Sequence, residues 1–157
     1  MTFSAPEMTD LAIRRAERAD LLAVVRIEGA SFPQPWPYDA FERFLDEPGF
    51  LVAVDRDGRI GGFVVADVTP THGRQIGHVK DLAVHPDRRG AGVGSALLTH
   101  ALASLAAQGG DTVRLEVRES NETARRLYRR FGFEDVRRVP GYYDDGEDAI
   151  VMLRKLP

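Results

Sequence analysis

The sequence contains no cysteine at all. This absence excludes a disulfide framework, a thiolate metal site and a cysteine nucleophile, and it fits a cytoplasmic protein. The chain also has no run of about 18 apolar residues, which excludes a transmembrane helix. Its formal net charge of -3 argues against broad nucleic-acid binding, because proteins of that kind present a basic face. We therefore expect neither a membrane nor a nucleic acid among its partners.

The first ten residues, MTFSAPEMTD, lack the order of basic and then apolar residues that marks a signal peptide. We expect residues 1–10 to form a flexible leader and residues 11–157 to form one domain. A chain of 157 residues has the size of a single domain and is long enough to bury a core.

Hydrophobic periodicity predicts strands and helices in the order β-α-α-β-β-β-α-β-α-β-β, which indicates a mixed α/β domain. Asp20 is expected to cap the first helix, and three prolines between residues 33 and 37 break the chain into a loop. Asp57-Gly58 is a favoured tight-turn pair between two strands. The apolar stripe of the first helix is expected to comprise Leu21, Leu22, Val25 and Ile27.

The stretch RRGAGVGSALL, residues 88–98, follows a predicted strand and opens a predicted helix. Free backbone N–H groups and the positive end of a helix meet at such a place, so the stretch predicts an anion site. A plain tight turn is the alternative. No Gly-Lys-Ser/Thr follows, which excludes a Walker loop. The glycine spacing also departs from the Rossmann fingerprint, which argues against a nicotinamide dinucleotide-binding module.

Three further residues are candidates for chemistry. Glu116 lies on the polar face of a predicted strand, where it could act as a base or pair with its neighbouring arginines. His78 lies on an earlier strand and is either catalytic or structural. Tyr128 follows Asn121 by two helical turns, so both can face one groove, although Tyr128 could also belong to the core. The remaining histidines show no ligand spacing, so no metal site is predicted.

Taken together, the motifs resemble the Gcn5-related N-acetyltransferase (GNAT) superfamily. Its loop pattern Arg-x-x-Gly-x-Gly is matched by Arg89, Gly92 and Gly94, after the triplet Leu82-Ala83-Val84. The stretches LEVRESNETARRLYRRFGF and GYYDDGEDAIVM are similar to the RimI-type ribosomal-protein-alanine N-acetyltransferases and their archaeal Ard-like relatives. The resemblance runs from Leu11 to Leu153. It implies a single-domain GNAT fold, an α/β (α+β) mixed sheet with splayed central strands.

The resemblance implies that the anion is the pyrophosphate of acetyl-CoA, a co-substrate used without a metal. The pantetheine arm is then expected to pair with the strand that ends at Val84 and to contact Asn121. The residues that the resemblance assigns to cofactor binding are Leu82, Ala83, Val84, Arg89, Gly90, Ala91, Gly92, Val93, Gly94, Ser95 and Asn121.

The resemblance also implies roles in catalysis and substrate binding. Glu116 matches the proton acceptor of the family, His78 a second base-like residue, and Tyr128 the acid that protonates the sulfur of CoA. Two loops are expected to wall a cleft that admits a peptide N-terminus and excludes lysine side chains. The lining residues are Phe32, Pro33, Tyr142 and Tyr143, and the nearby acids Asp144, Asp145, Glu147 and Asp148 are expected to favour a cationic amine.

The leading hypothesis is a protein N-α-acetyltransferase that works by direct attack in a ternary complex. Its partners would be acetyl-CoA and a peptide or protein N-terminus, with a ribosomal protein among the candidates, and the enzyme would be a monomer or weak dimer. One alternative is a small-molecule amine or amino-acid acetyltransferase on the same fold. Another is a non-catalytic regulator that binds acetyl-CoA.

Overall fold

The structure, a computed structural model, describes residues 11–157, so the predicted leader at residues 1–10 lies outside the described residues. The order of strands and helices agrees with the predicted order. The strands are β1 (Ala12–Arg15), β2 (Gly49–Val54), β3 (Ile60–Thr71), β4 (Arg74–Val84), β5 (Thr112–Arg118), β6 (Glu134–Val139) and β7 (Ala149–Lys155). The helices are α1 (Leu21–Ser31), α2 (Tyr38–Glu42), α3 (Val93–Ala107) and α4 (Glu122–Arg130), and 3-10 turns occupy Arg18–Asp20 and Pro86–Arg88.

Glycines with positive φ end the two long helices that follow β4. Gly109 has φ of 88°, and the next amide donates back to the carbonyl of Leu105. Gly132, with φ of 86°, plays the same part after α4, where the amide of Phe133 donates to the carbonyl of Tyr128. Only glycine adopts this conformation without strain, so both stops are encoded locally.

The start of α1 differs from the prediction in two respects. Asp20 makes no capping hydrogen bond to α1, because its carboxylate accepts instead from the Arg14 guanidinium and from the amide of Glu17. Leu22 is not part of the buried stripe and is 63% exposed. The stripe that faces the sheet consists of Leu21, Val24, Ile27 and Glu28.

The seven strands form one sheet in the order β1-β2-β3-β4-β5-β7-β6. All neighbouring pairs are antiparallel except β4 and β5, which are parallel and pair only from Ile76↔Thr112 to Val79↔Leu115. A bulge at Lys80 shifts the register of β4 against β3 just where this pairing stops. Bulges bend a strand and increase its twist. β4 and β5 therefore diverge beyond Val79, as the splayed sheet of the GNAT resemblance requires.

Each face of the sheet carries its own hydrophobic cluster. Leu97, Leu98 and Leu105 of α3 pack on one face, together with Tyr128 and Phe133. On the opposite face α1 and α2 pack against the sheet through a cluster that includes Leu21, Phe41, Phe50 and Phe63. No helix among residues 11–157 is long and apolar enough to cross a membrane.

Candidate active site

The divergence of β4 and β5 opens a cavity of about 610 Å³. Its walls come from the loop between α1 and α2, from β4 and β5, from α4, and from the loop between β6 and β7. We call these two loops the first and second substrate loops, residues 32–37 and 140–148. Predicted site residues that line it are Phe32, His78, Leu82, Glu116, Asn121, Tyr128, Tyr142 and Tyr143.

His78 and Glu116 form a hydrogen-bonded pair on one wall of the cavity. The parallel register places His78 beside Arg114, and His78 Nε2 lies 2.7 Å from Glu116 Oε1. The second carboxylate oxygen, Oε2, lies 2.9 Å from Arg114 Nε. The Glu116 side chain is therefore largely buried, and it contacts one neighbouring arginine as well as the predicted second base.

The charge state of Glu116 follows from this arrangement. Burial would raise the pKa of the Glu116 carboxyl, but the hydrogen bond from His78 and the positive charges of His78, Arg114 and Lys80 outweigh it and lower the pKa below its usual value. The side chain is thus a carboxylate at neutral pH. A carboxylate hydrogen-bonded to an imidazole can take up a proton from an amine directly or through a water molecule.

Tyr128 lines the same cavity and also belongs to the hydrophobic core. Its ring is buried and packs edge-to-face on Phe133, with centroids 5.8 Å apart, so it is part of the core. The residue also lines the cavity. Burial, followed by the nearby Asp81 and Tyr143, raises the pKa of its phenol far above the usual value. Tyr128 is therefore a neutral proton donor at any working pH.

Asn121 caps α4, because its side-chain oxygen accepts from the amide of Ala124 at 3.2 Å. The same residue lines the cavity. The cap oxygen is occupied in this way, so the amide nitrogen is the part of the side chain that remains for a cofactor arm.

The glycine-rich loop lies outside this cavity, at the start of α3. Gly92 has φ of 81°, and no side chain in the described part of the chain caps the helix, so the first amides of α3 are left there without a capping acceptor. Glycine at position 94 serves packing between helices. A Cβ at this position would lie 3.3 Å from Leu127 Cδ2, so the glycine lets α3 approach α4 closely. Arg88, the first residue of the stretch RRGAGVGSALL, forms an ion pair with Asp55 of the β2–β3 turn.

Arg89 is exposed beside the same loop. Its Nε donates to the carbonyl of Val84 at 3.1 Å, and its Nη2 donates to Ser31 Oγ at 3.2 Å. The guanidinium therefore stands at the end of β4, between the strand that is expected to pair with the pantetheine arm and the uncapped start of α3. Among residues 11–157 it bonds to neutral groups only, which leaves its charge available to an anion.

Arg118 connects the two substrate loops. Its Nη1 contacts Asp145 and Glu147 at 2.9 Å, its Nη2 donates to Gln34 Oε1 at 3.3 Å, and its guanidinium lies 4.1 Å from the centre of the Tyr143 ring. The side chain is only 11% exposed, so these contacts are largely shielded from water. Arg118 thus holds the second loop to the first.

The four acidic residues expected to favour a cationic amine differ in their contacts. Asp145 and Glu147 share the single positive charge of Arg118, and Asp148 accepts from the amide of Gly141 at 2.9 Å. Asp144 is the member of the group that lines the cavity. Pro33 is likewise absent from the lining, among the residues that the structure describes, whereas its neighbour Phe32 is present.

Sequence reasoning overlooked Glu28, Gln34, Asp81 and Arg118 as site residues, all of which line the cavity. A signal existed for Glu28, because it occupies a position of the apolar stripe of α1 where a carboxylate is costly to bury. The partners of Arg118 could not be read from the sequence, since they lie 27, 29 and 84 residues away. Within residues 11–157 no group of three or more His, Asp or Glu is placed to hold a metal ion.

Comparisons with known proteins identify the family of this chain. A sequence model of the Acetyltransferase (GNAT) family matches residues 20–133. An N-alpha-acetyltransferase of Sulfolobus acidocaldarius is 35% identical, over 92% of this chain and 92% of its own. The [ribosomal protein bS18]-alanine N-acetyltransferase of Escherichia coli is 32% identical, over 89% of this chain and 94% of its own. The crystal structure of Ard1 from Thermoplasma volcanium superposes with a TM-score of 0.87 at 30% identity, covering 94% of this chain and 99% of that one. The chain belongs to the GNAT acetyltransferase family.

Proposed function

We propose that the protein transfers the acetyl group of acetyl-CoA to the α-amine of a peptide or protein N-terminus. The observation that carries the proposal is the cavity between β4 and β5, whose lining includes the hydrogen-bonded side chains of His78 and Glu116 and the neutral phenol of Tyr128. The relatives from Sulfolobus acidocaldarius and Escherichia coli support it, because both are named as N-terminal or alanine N-acetyltransferases.

The hydrogen-bonded pair of Glu116 and His78 would act first. An α-amine has an intrinsic pKa of about 7.7–8.0, so near neutral pH much of it must lose a proton before it can attack. Glu116 takes this proton, and His78 holds the carboxylate in position through its 2.7 Å hydrogen bond. The amine nitrogen then bonds to the thioester carbonyl carbon. Proximity within one ternary complex replaces a covalent acyl-enzyme, for which this chain has no cysteine nucleophile.

Collapse of the tetrahedral adduct breaks the carbon–sulfur bond and releases the thiolate of CoA. Tyr128 donates its phenolic proton to the sulfur, and its raised pKa keeps that proton in place until the thiolate forms. The phenolate is then reprotonated from solvent. General acid catalysis of this kind contributes about 10²–10⁴-fold to a rate.

The remaining residues would bind the two substrates. We assign the acetyl-CoA pyrophosphate to the start of α3, where uncapped amides and Arg89 lie together, and the pantetheine arm to the unpaired end of β4 at residues 82–84. We assign the peptide to the space between the two substrate loops, against Phe32, Tyr142 and Tyr143. Because the Escherichia coli relative acts on a ribosomal protein, a cytoplasmic ribosomal protein is one candidate substrate.

An acetylation assay on a peptide array tests this function. The array varies the first two residues of a short peptide, and each peptide has a control with a blocked N-terminus and one internal lysine. We expect transfer to free N-termini and not to the lysine control. Transfer to free amino acids or polyamines in preference to every peptide would favour the small-molecule alternative. Binding of acetyl-CoA without transfer to any amine would favour the non-catalytic regulator.

A further inference from the structure

Glu28 is a buried carboxylate at the end of α1 that the mechanism above does not use. It is 2% exposed. Its Oε2 accepts from the amide of Trp36 in the first substrate loop at 2.9 Å. Its Oε1 is buried and has no hydrogen-bond partner among the residues that the structure describes. An unpartnered buried oxygen is costly, so its surroundings call for an explanation.

Asp81 supplies a second carboxyl at the same place. The bulge at Lys80 sets Asp81 opposite Val65, so that Asp81 shares a face of β4 with Ala83, which packs in the cluster beneath α1. Its Oδ2 is also buried without a hydrogen-bond partner in the described part of the chain. Both carboxyls line the cavity. Glu28 Oε1 on α1 and Asp81 Oδ2 on β4 would both gain a hydrogen-bond partner if one proton lay between them.

The titration of Asp81 agrees with this arrangement. Burial and, after it, the neighbouring Glu28 carboxyl raise the pKa of Asp81 well above its usual range, and the amide of Leu82 offsets this only in part. Two carboxylates that face one another out of water do not both ionise, since the repulsion between them keeps one protonated.

We propose that Glu28 and Asp81 share one proton between Oε1 and Oδ2, and that this pair fastens the first substrate loop to β4. Asp81 is then a positioning residue for the peptide, and this part of the inference rests on the proposed function. The shared proton joins the end of α1 to the strand that carries His78. Because Glu28 also holds the amide of Trp36, loss of the proton would drive the carboxylates apart and loosen the loop.

Other titratable and charged groups line the same cavity. They are His78 and Lys80 on β4, Glu116 and Arg118 on β5, Tyr128 on α4, Tyr142, Tyr143 and Asp144 on the second substrate loop, and Arg43 beyond α2. Burial raises the pKa of Tyr143 to about 12 and that of Tyr128 further, so neither phenol ionises at moderately alkaline pH. A variant that lacks only the shared proton distinguishes the titration of the Glu28–Asp81 pair from the titration of the other groups.

Fluorescence of Trp36 gives a readout that does not depend on activity, because the chain contains a single tryptophan. We expect the wild-type emission to show a transition between pH 5 and pH 10 as the shared proton is lost. In Asp81→Asn the amide donates to Glu28 Oε1 at every pH, so the transition should be absent. Asp57→Asn, an exposed change in the β2–β3 turn, is the matched control and should keep it. If Asp81→Asn does not fold, Glu28→Gln takes its place with the same expected result.

Peptide kinetics test the positioning role. Across the pH interval of the fluorescence transition the peptide KM of the wild type should rise at least about fivefold, while the KM for acetyl-CoA stays constant. Deprotonation of the peptide amine works in the opposite direction, since it supplies more of the reactive form. The rise should disappear in Asp81→Asn and persist in Asp57→Asn.

The outcomes separate the two proposals. A wild-type protein without a fluorescence transition, or an Asp81→Asn variant that retains it, would overturn the shared proton. A transition that is lost in Asp81→Asn while peptide KM stays flat in the wild type would overturn the positioning role. Failure to acetylate any peptide would refute the proposed function, and the fluorescence result would still decide whether the proton is shared.

Discussion

Replacement of Tyr128 by phenylalanine isolates the proton that we assign to the departing thiolate. The ring is buried against Phe133, and phenylalanine keeps that packing. The hydroxyl makes no hydrogen bond within residues 11–157, so its removal leaves no partner unsatisfied. We therefore expect the free energy of unfolding to change by less than about 0.5 kcal/mol. For a chain of this size the shift in Tm should then be below about 2 °C.

The effect on the rate should be much larger than the effect on stability. Loss of a general acid lowers kcat by about 10²–10⁴-fold. Because the pKa of the Tyr128 phenol is raised far above its usual value, the wild-type phenol stays protonated throughout the assay range. The loss in kcat should therefore be the same from about pH 6 to about pH 9.5. The affinity for acetyl-CoA should change by less than about threefold, since the hydroxyl acts late in the reaction.

Steady-state kinetics, calorimetry of acetyl-CoA binding and thermal melting measure these three quantities on one preparation. Tyr142→Phe is the matched control, because Tyr142 lines the same cavity but is 49% exposed and is not assigned to proton transfer. It should alter the peptide KM more than kcat. If Tyr128→Phe retains kcat within about threefold of the wild type, the phenol is a packing group and water protonates the thiolate.

Three further predictions concern the Glu116–His78 pair and Arg89 beside the glycine-rich loop. Glu116→Gln should lower kcat at neutral pH, and part of the loss should be recovered as pH rises. His78→Ala should have the same effect to a smaller extent. A double variant whose fold-loss in kcat equals the product of the two single fold-losses would contradict a shared proton path. Because the pKa of Glu116 lies below its usual value, the carboxylate stabilises the fold above about pH 4.5, and this stabilisation is lost as pH falls through the lowered pKa. In denaturant titrations the free energy of unfolding of the wild type should therefore fall more steeply between about pH 5 and about pH 3 than that of Glu116→Gln. Arg89→Gln should weaken acetyl-CoA binding by about three- to tenfold in calorimetry, with an unchanged Tm. The control Arg59→Gln, at an exposed position, should have no effect. Equal affinities of Arg89→Gln and the wild type for acetyl-CoA would remove Arg89 from the phosphate site.

The Gly92→Val substitution, a direct way to fill the anion site, is less informative than Arg89→Gln. Gly92 has φ of 81°, a conformation that a β-branched residue adopts only with strain. Valine would therefore destabilise the start of α3 as well as occupy the space of a phosphate. Loss of acetyl-CoA binding in that variant could not be assigned to the phosphate contact alone.

Local sequence determined the elements and the places where they stop. Glycines at 109 and 132 end α3 and α4 through positive φ, and Asp57-Gly58 makes the turn between β2 and β3. These features involve residues within about five positions of one another, so propensity and hydrogen bonding along the chain are enough to specify them. The motif pattern around the glycine loop likewise indicated the GNAT family without any tertiary information.

Tertiary structure decided which of these groups meet. His78 and Glu116 lie 38 residues apart and become a pair because β4 and β5 are parallel in one particular register. The bulge at Lys80 turns Asp81 toward α1, where Glu28 meets it. An isolated strand carries its alternation of faces but not the identity of its neighbour, and a shift of one residue would send each side chain to the opposite face. The sequence by itself thus determined the candidates for chemistry, whereas the sheet register and the divergence of β4 from β5 determined their partners and their charge.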